Sequence, residues 1–183
     1  MINYKDIEAH KTAVVFEFDN VLVPKKDYDL QVYYLFANFI EYLETFPPPQ
    51  EMLDFISKRY EVHGNLNMFE EVVNAFGIDK KYKENLDLLF TNANLPLKLL
   101  LYKEALELLQ ELVINRKQIF ILTTGKPEQQ LNKIKQTEWN GLEQYLKLYF
   151  TDEFSQTSTT PALDYLLEEN NLQIDNVLVV SKQ

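Results

Sequence analysis

Two carboxylates stand two residues apart near the start of this chain, Glu17 and Asp19. Val14-Val15-Phe16 precedes them and Phe18 separates them. That apolar run is too short for a helix and rich in β-formers, so it reads as a buried strand carrying both acids at its C-terminal end. In an open parallel sheet that end borders the ligand crevice. Carboxylates held there are costly unless a cation, a proton or hydrogen bonds compensate them. The chemistry open to the pair is the chemistry of that compensating partner, a bound cation or a moving proton. A second apolar run, Gln118-Ile119-Phe120-Ile121-Leu122, delivers the hydroxyls of Thr123 and Thr124 in the same way.

The elements that position these residues alternate. After the first strand Pro24-Lys25-Lys26 breaks the pattern, and a helix begins near Asp29. Leu30, Tyr33, Tyr34, Ala37, Ile40 and Leu43 keep helical spacing until the prolines at 47–49 stop it. Further helices are predicted over 50–62, over 67–76 with Gly77 as the stop, and over 79–92. Residues 25–97 are helical throughout and carry no strand. Strand and helix then alternate again: an amphipathic helix over 102–113, the strand 118–122, a helix opened by Pro127, and a short strand Leu148-Tyr149-Phe150. A polar loop at 155–160, a helix from Pro161 with Thr160 as N-cap, and the strand Val177–Val180 complete the chain. Alternation of this kind predicts an α/β fold, a doubly wound parallel sheet with helices on both faces. Residues 1–24 and 98–183 form that core, and 25–97 are an insertion.

Composition narrows the function classes. At 183 residues the chain can bury one good core with a small inserted unit. No apolar run approaches a membrane span, the N-terminus lacks a signal-peptide layout, and the absence of cysteine removes disulfide and thiol chemistry. A cytoplasmic location is the expectation. A net charge of −10 speaks against nucleic acid or an anionic membrane as partner, because phosphate backbones are bound by clustered Lys and Arg.

The segment Val14 to Leu22 resembles the first motif of the haloacid dehalogenase (HAD) superfamily of phosphohydrolases, a strand ending Asp-x-Asp-x-Thr/Val-Leu. Val21, Leu22 and the second acid, Asp19, match, and Glu17 replaces the first acid. Tyr102 to Leu109 resembles the helix before the second motif, and Ile121-Leu122-Thr123-Thr124-Gly125 resembles that motif itself. The resemblance covers essentially the whole chain. It implies a Rossmann-like core with an inserted all-helical cap at 25–97. It implies that Glu17 sits at the nucleophile position, that Asp19 is the general acid/base, and that Thr123 and Thr124 bind phosphate.

Three positions depart from the family pattern. Glu17 adds a methylene, which moves its carboxylate by about an ångström and can cost roughly a hundredfold in rate. The family's phosphate-positioning Lys before a Pro is absent, since Thr160 precedes Pro161. Where the last motif has Gly-Asp, this chain has Ser181-Lys182, so a metal-binding acid has become a cation. The expectation is a catalytically impaired relative acting as a binding or regulatory module for a small phosphorylated or anionic molecule. No metal is expected, with Lys182 pairing with Glu17 or Asp19 as the metal-replacing cation. Two alternatives stay open. One is an active phosphatase that binds Mg²⁺ through Glu17 and the Asp19 carbonyl; the other is a structural protein with a vestigial crevice.

Other residues have plainer explanations. Lys126 directly follows the second strand and reads as a surface residue opening a helix. Asp152 and Glu153 end the third strand and could border the crevice, but acids on such loops are mostly solvated. His10 and His63 lack partners at ligand spacing. Seven aromatics between Tyr28 and Phe46 read as helix-bundle core. The apolar strand Val177–Val180 is expected to form a sheet edge that a homodimer, a partner or another segment covers.

Overall fold

The computed structural model describes residues 4–154 and 160–182. Most of the polar loop expected over 155–160 therefore lies outside the described residues. In chain order the elements are β1 (Ala13–Phe16), α1 (Lys25–Glu44), α2 (Pro49–His63), α3 (Met68–Phe76), α4 (Lys83–Asn92), β2 (Leu99–Leu100), α5 (Lys103–Ile114), β3 (Gln118–Thr123), α6 (Pro127–Lys135), β4 (Thr137–Glu138), β5 (Leu146–Phe150), α7 (Thr160–Glu169) and β6 (Val177–Val180). They form two compact units, one of Met1–Pro24 with Leu99–Gln183 and one of Lys25–Lys98.

The first unit is an α/β core. Its main sheet is parallel throughout, with strand order β5-β3-β1-β6. All four residues of β1 are buried, as a strand with a neighbour on each side and helices over both faces requires. Alternate residues of the strand face opposite layers. Val14 and Phe16 join α5 (Ala105, Leu108, Leu109, Leu112) and Ile134 of α6. Ala13 and Val15 join Phe120, Leu122 and the α7 residues Ala162 and Leu166. A Phe16→Ala change would leave a cavity costing about 3–5 kcal/mol. β6 occupies one edge of the sheet; Val177 is buried, whereas Val179 is 44% exposed. The two-residue strands β2 and β4 pair in a separate small sheet that the sequence did not predict, because two residues carry no readable period.

The second unit is all helical. Pro49 opens α2 at its first turn, where its missing N–H costs nothing. Gly77, in the left-handed region, closes α3 and donates its N–H to the Val73 carbonyl at 2.8 Å. Its interior holds Tyr28, Phe36, Ile40, Met52, Ile56, Met68 and Leu86. Of the seven aromatics in 28–46, Tyr28, Tyr33 and Phe36 are buried, and Phe39 packs on Phe36 and Tyr82. Tyr34, Tyr42 and Phe46 are exposed, so the core explanation holds for only part of the stripe. Asp29 is fully buried and is held by the Lys25 ammonium at 2.5 Å and the Tyr60 hydroxyl at 2.7 Å. No helix among the described residues is long and apolar enough to cross a membrane.

Candidate active site

β1 delivers the acids through a short loop. The Glu17 N–H donates to the Val180 carbonyl at 3.0 Å, which continues the pairing with β6 one residue past the strand. Phe18 is buried against Trp139, their ring centroids 6.1 Å apart. Asn20 takes a φ of 62°, a conformation Asn tolerates better than most residues. Its N–H reaches the Val23 carbonyl at 2.7 Å, while the Leu22 N–H reaches the Phe18 carbonyl at 3.0 Å. The Leu22 carbonyl in turn accepts the Tyr102 N–H at 2.8 Å, tying the loop to the start of α5. Asp19 is therefore fixed by backbone on both sides.

α6 supplies what compensates Asp19. The Lys133 ammonium lies 2.7 Å from Oδ2 and 3.0 Å from Oδ1, and the Lys133 side chain is 1% exposed against 17% for Asp19. Gln130, one helical turn earlier, donates through Nε2 to Asp19 Oδ2 at 3.1 Å and to the Thr124 carbonyl at 2.7 Å. Residues three apart share a helix face, which is why both reach the same carboxylate. The end of α6 is fixed by the Thr137 hydroxyl on the Lys133 carbonyl and by the Trp139 indole N–H on the Ile134 carbonyl.

The end of β3 completes the edge. In the parallel register Phe16 faces Ile121, so the acids and the threonines emerge at the same side of the sheet. Thr123 is buried, with its carbonyl accepting the Thr151 hydroxyl at 3.4 Å, and Thr124 is exposed. Gly125 has a φ of 114°, and its N–H donates to Asp152 Oδ1 at 3.1 Å. Asp152 thus holds the loop after β3, a contact its position on a strand-end loop did not announce. Glu153 and Lys126 are exposed. His10 pairs with Glu8 on the surface, and His63 is exposed in the helical unit.

Lys182 reaches Glu17 by a different route from the one expected. Its backbone N–H donates to Glu17 Oε2 at 3.2 Å, and the residue is exposed. The ammonium that rests on Asp19 is that of Lys133, which sequence reasoning passed over together with Gln130. Gln130, Lys133 and Ile134 fall at i, i+3 and i+4, one face of α6, but that spacing does not mark the lysine as buried.

Mg²⁺ requires near-ideal octahedral oxygen coordination. Both oxygens of Asp19 already accept hydrogen bonds from Lys133, and Oδ2 also accepts from Gln130. Among the described residues no group of three or more His, Cys, Asp or Glu is placed to hold a metal ion. The donor set does not fit Mg²⁺ at the Asp19 carboxylate.

No family model matches the sequence, and a comparison with curated proteins finds no match. Solved structures do match. YfnB from Bacillus subtilis, bound to magnesium, is 12% identical with a TM-score of 0.63 over 94% of this chain and 78% of its own. A HAD hydrolase of family IA, variant 3, from Entamoeba histolytica is 17% identical with a TM-score of 0.54 over 91% and 74%. A HAD family hydrolase from Deinococcus radiodurans, with bound phosphate and sodium, is 11% identical with a TM-score of 0.53 over 96% and 74%.

Proposed function

We propose that this chain, which has the HAD-like hydrolase fold, is a binding or regulatory module whose crevice takes a small phosphorylated or anionic molecule without turning it over. One observation carries this: Asp19, at the general acid/base position, is locked to a buried ammonium. A general acid/base has to exchange a proton with the reacting group within hydrogen-bond reach. Asp19 could do so only by releasing Lys133, and breaking such a buried pair costs about 3–5 kcal/mol. Phosphoryl transfer also depends on cations already placed around the moving group, and the Lys133 ammonium is held on the Asp19 carboxylate. Glu17, with its longer side chain, is at the nucleophile position, and the exposed Thr124 offers its hydroxyl to a ligand, whereas Thr123 at the phosphate-binding position is buried. The exposed β6 edge is where a partner segment or a second copy would add.

An active phosphatase is the alternative, and it is supported by the two carboxylates kept at the β1 edge and by the magnesium bound to YfnB. A panel of phosphate esters assayed with and without Mg²⁺ separates the two. No turnover above buffer is expected in either condition. Metal-dependent turnover abolished by Asp19→Asn would establish the phosphatase instead.

A further inference from the structure

Lys133 is almost completely buried, and its ammonium stands 2.7 Å and 3.0 Å from the two oxygens of Asp19. The shorter of the two is a charge-assisted length. An ammonium taken out of water needs a fixed anion, and a carboxylate at a strand end needs a fixed cation. Each residue meets the other's requirement. A lysine does through its covalent tether what a bound metal does through affinity. We infer that Lys133 stands in for a divalent cation at Asp19, and that removing its charge opens a divalent-cation site there.

The oxygen donors such an ion would use there are the two carboxylate oxygens of Asp19 and the amide oxygen of Gln130. That amide oxygen is buried without a partner, on the same amide whose nitrogen touches Asp19. Hard divalent cations are bound by carboxylate and amide oxygens. With the ammonium in place, a cation would meet like charge and an occupied carboxylate. With Lys133 neutral, the same carboxylate is uncompensated and a cation becomes its natural partner. The inference concerns charge balance at Asp19 and stands whether or not the protein turns over phosphate esters.

Mn²⁺ is the probe, followed by calorimetric titration and by the electron paramagnetic resonance of the free ion. The full chain is compared as wild type, Lys133→Met, Lys133→Gln, and the double variant Lys133→Met with Asp19→Asn. Wild type should show no saturable binding at submillimolar Mn²⁺. Both neutral variants should bind at least about tenfold more tightly, and the double variant should lose the gain. Submillimolar binding by wild type, unchanged affinity in both neutral variants, or a gain that survives Asp19→Asn would each overturn the inference. Should neither neutral variant fold, the wild type decides: a melting temperature indifferent to Mn²⁺ supports it, and a rise with Mn²⁺ overturns it.

Discussion

The backbone N–H of Gly125 donates to Asp152 Oδ1 at 3.1 Å, which ties the loop after β3 to the end of β5. The Thr151 hydroxyl adds a second tie, to the Thr123 carbonyl at 3.4 Å. An acid just after β5 is thus employed in shaping the loop that carries Thr124. Asp152→Ala should lower stability by about 1–2 kcal/mol, since a backbone donor loses a charged acceptor. Asp152→Asn keeps an acceptor and should lose well under half of that. Urea unfolding of the two variants checks the ordering.

Gly125→Ala should destabilise by about 1–3 kcal/mol. The φ of 114° is one that L-residues rarely adopt, and a Cβ there would stand 3.0 Å from Gln130 Nε2. The strain would therefore be passed to the amide that holds Asp19. Gly125→Ala should unfold at lower urea with an unchanged denaturant slope; stability equal to wild type would show that the loop accommodates the methyl group.

Glu17→Asp should not by itself produce a phosphatase. Shortening the side chain repairs only one position, while Asp19 remains bound to Lys133 and position 182 remains a lysine. Catalytic groups act as a unit, so repairing one gives little when others are missing. Metal-dependent turnover in this single variant, well above the parent, would contradict the proposed function.

Tyr33 should set an alkaline limb of the stability curve. Burial pushes its hydroxyl above the ordinary tyrosine range, and the nearby carboxylates of Asp29, Glu70 and Asp87 push in the same direction. An acid whose folded pKa is raised keeps its proton in the native state while the unfolded chain releases it. Stability is therefore unaffected below the unfolded value near 10 and falls above it by about 1.4 kcal/mol per pH unit. Tyr33→Phe removes this slope. It also costs about 1 kcal/mol at neutral pH for the hydrogen bond to Asn65. Unfolding free energies measured from pH 7 to 11 test both.

The core's strands were legible because a buried parallel strand leaves an apolar run: Gln118 to Leu122 and Val177 to Val180 lie where expected, and β5 begins two residues earlier than Leu148. Pro127 marked the start of α6 for the reason that makes proline acceptable at a first helical turn. The acids and threonines were legible as a group because each ends such a run. Lys133 was not. A lysine in Pro-Glu-Gln-Gln-Leu-Asn-Lys-Ile-Lys reads as solvated, and the three-dimensional arrival of Asp19 over that helix face supplies the carboxylate that its burial needs. Lys182 shows the converse. Its identity suggested an ion pair, whereas the contact seen belongs to its backbone and would be made by almost any residue.

The strand order has a consequence for how the protein is made. β1 lies between β3 and β6, and the backbone pairing of Thr12 with Asn176 joins positions 164 apart. A ribosome releases β1 long before it has made β6, the second of its two neighbours. Contacts so distant in sequence are slow to form, because the loop must be closed before the contact rewards it. The helical segment 25–98, whose contacts are local, meets no such delay. Glu17 is thus made long before Val180, whose carbonyl accepts its N–H. Until β6 arrives, the nascent chain carries an unpaired apolar edge along β1, which is the interval in which a chaperone has the most to protect.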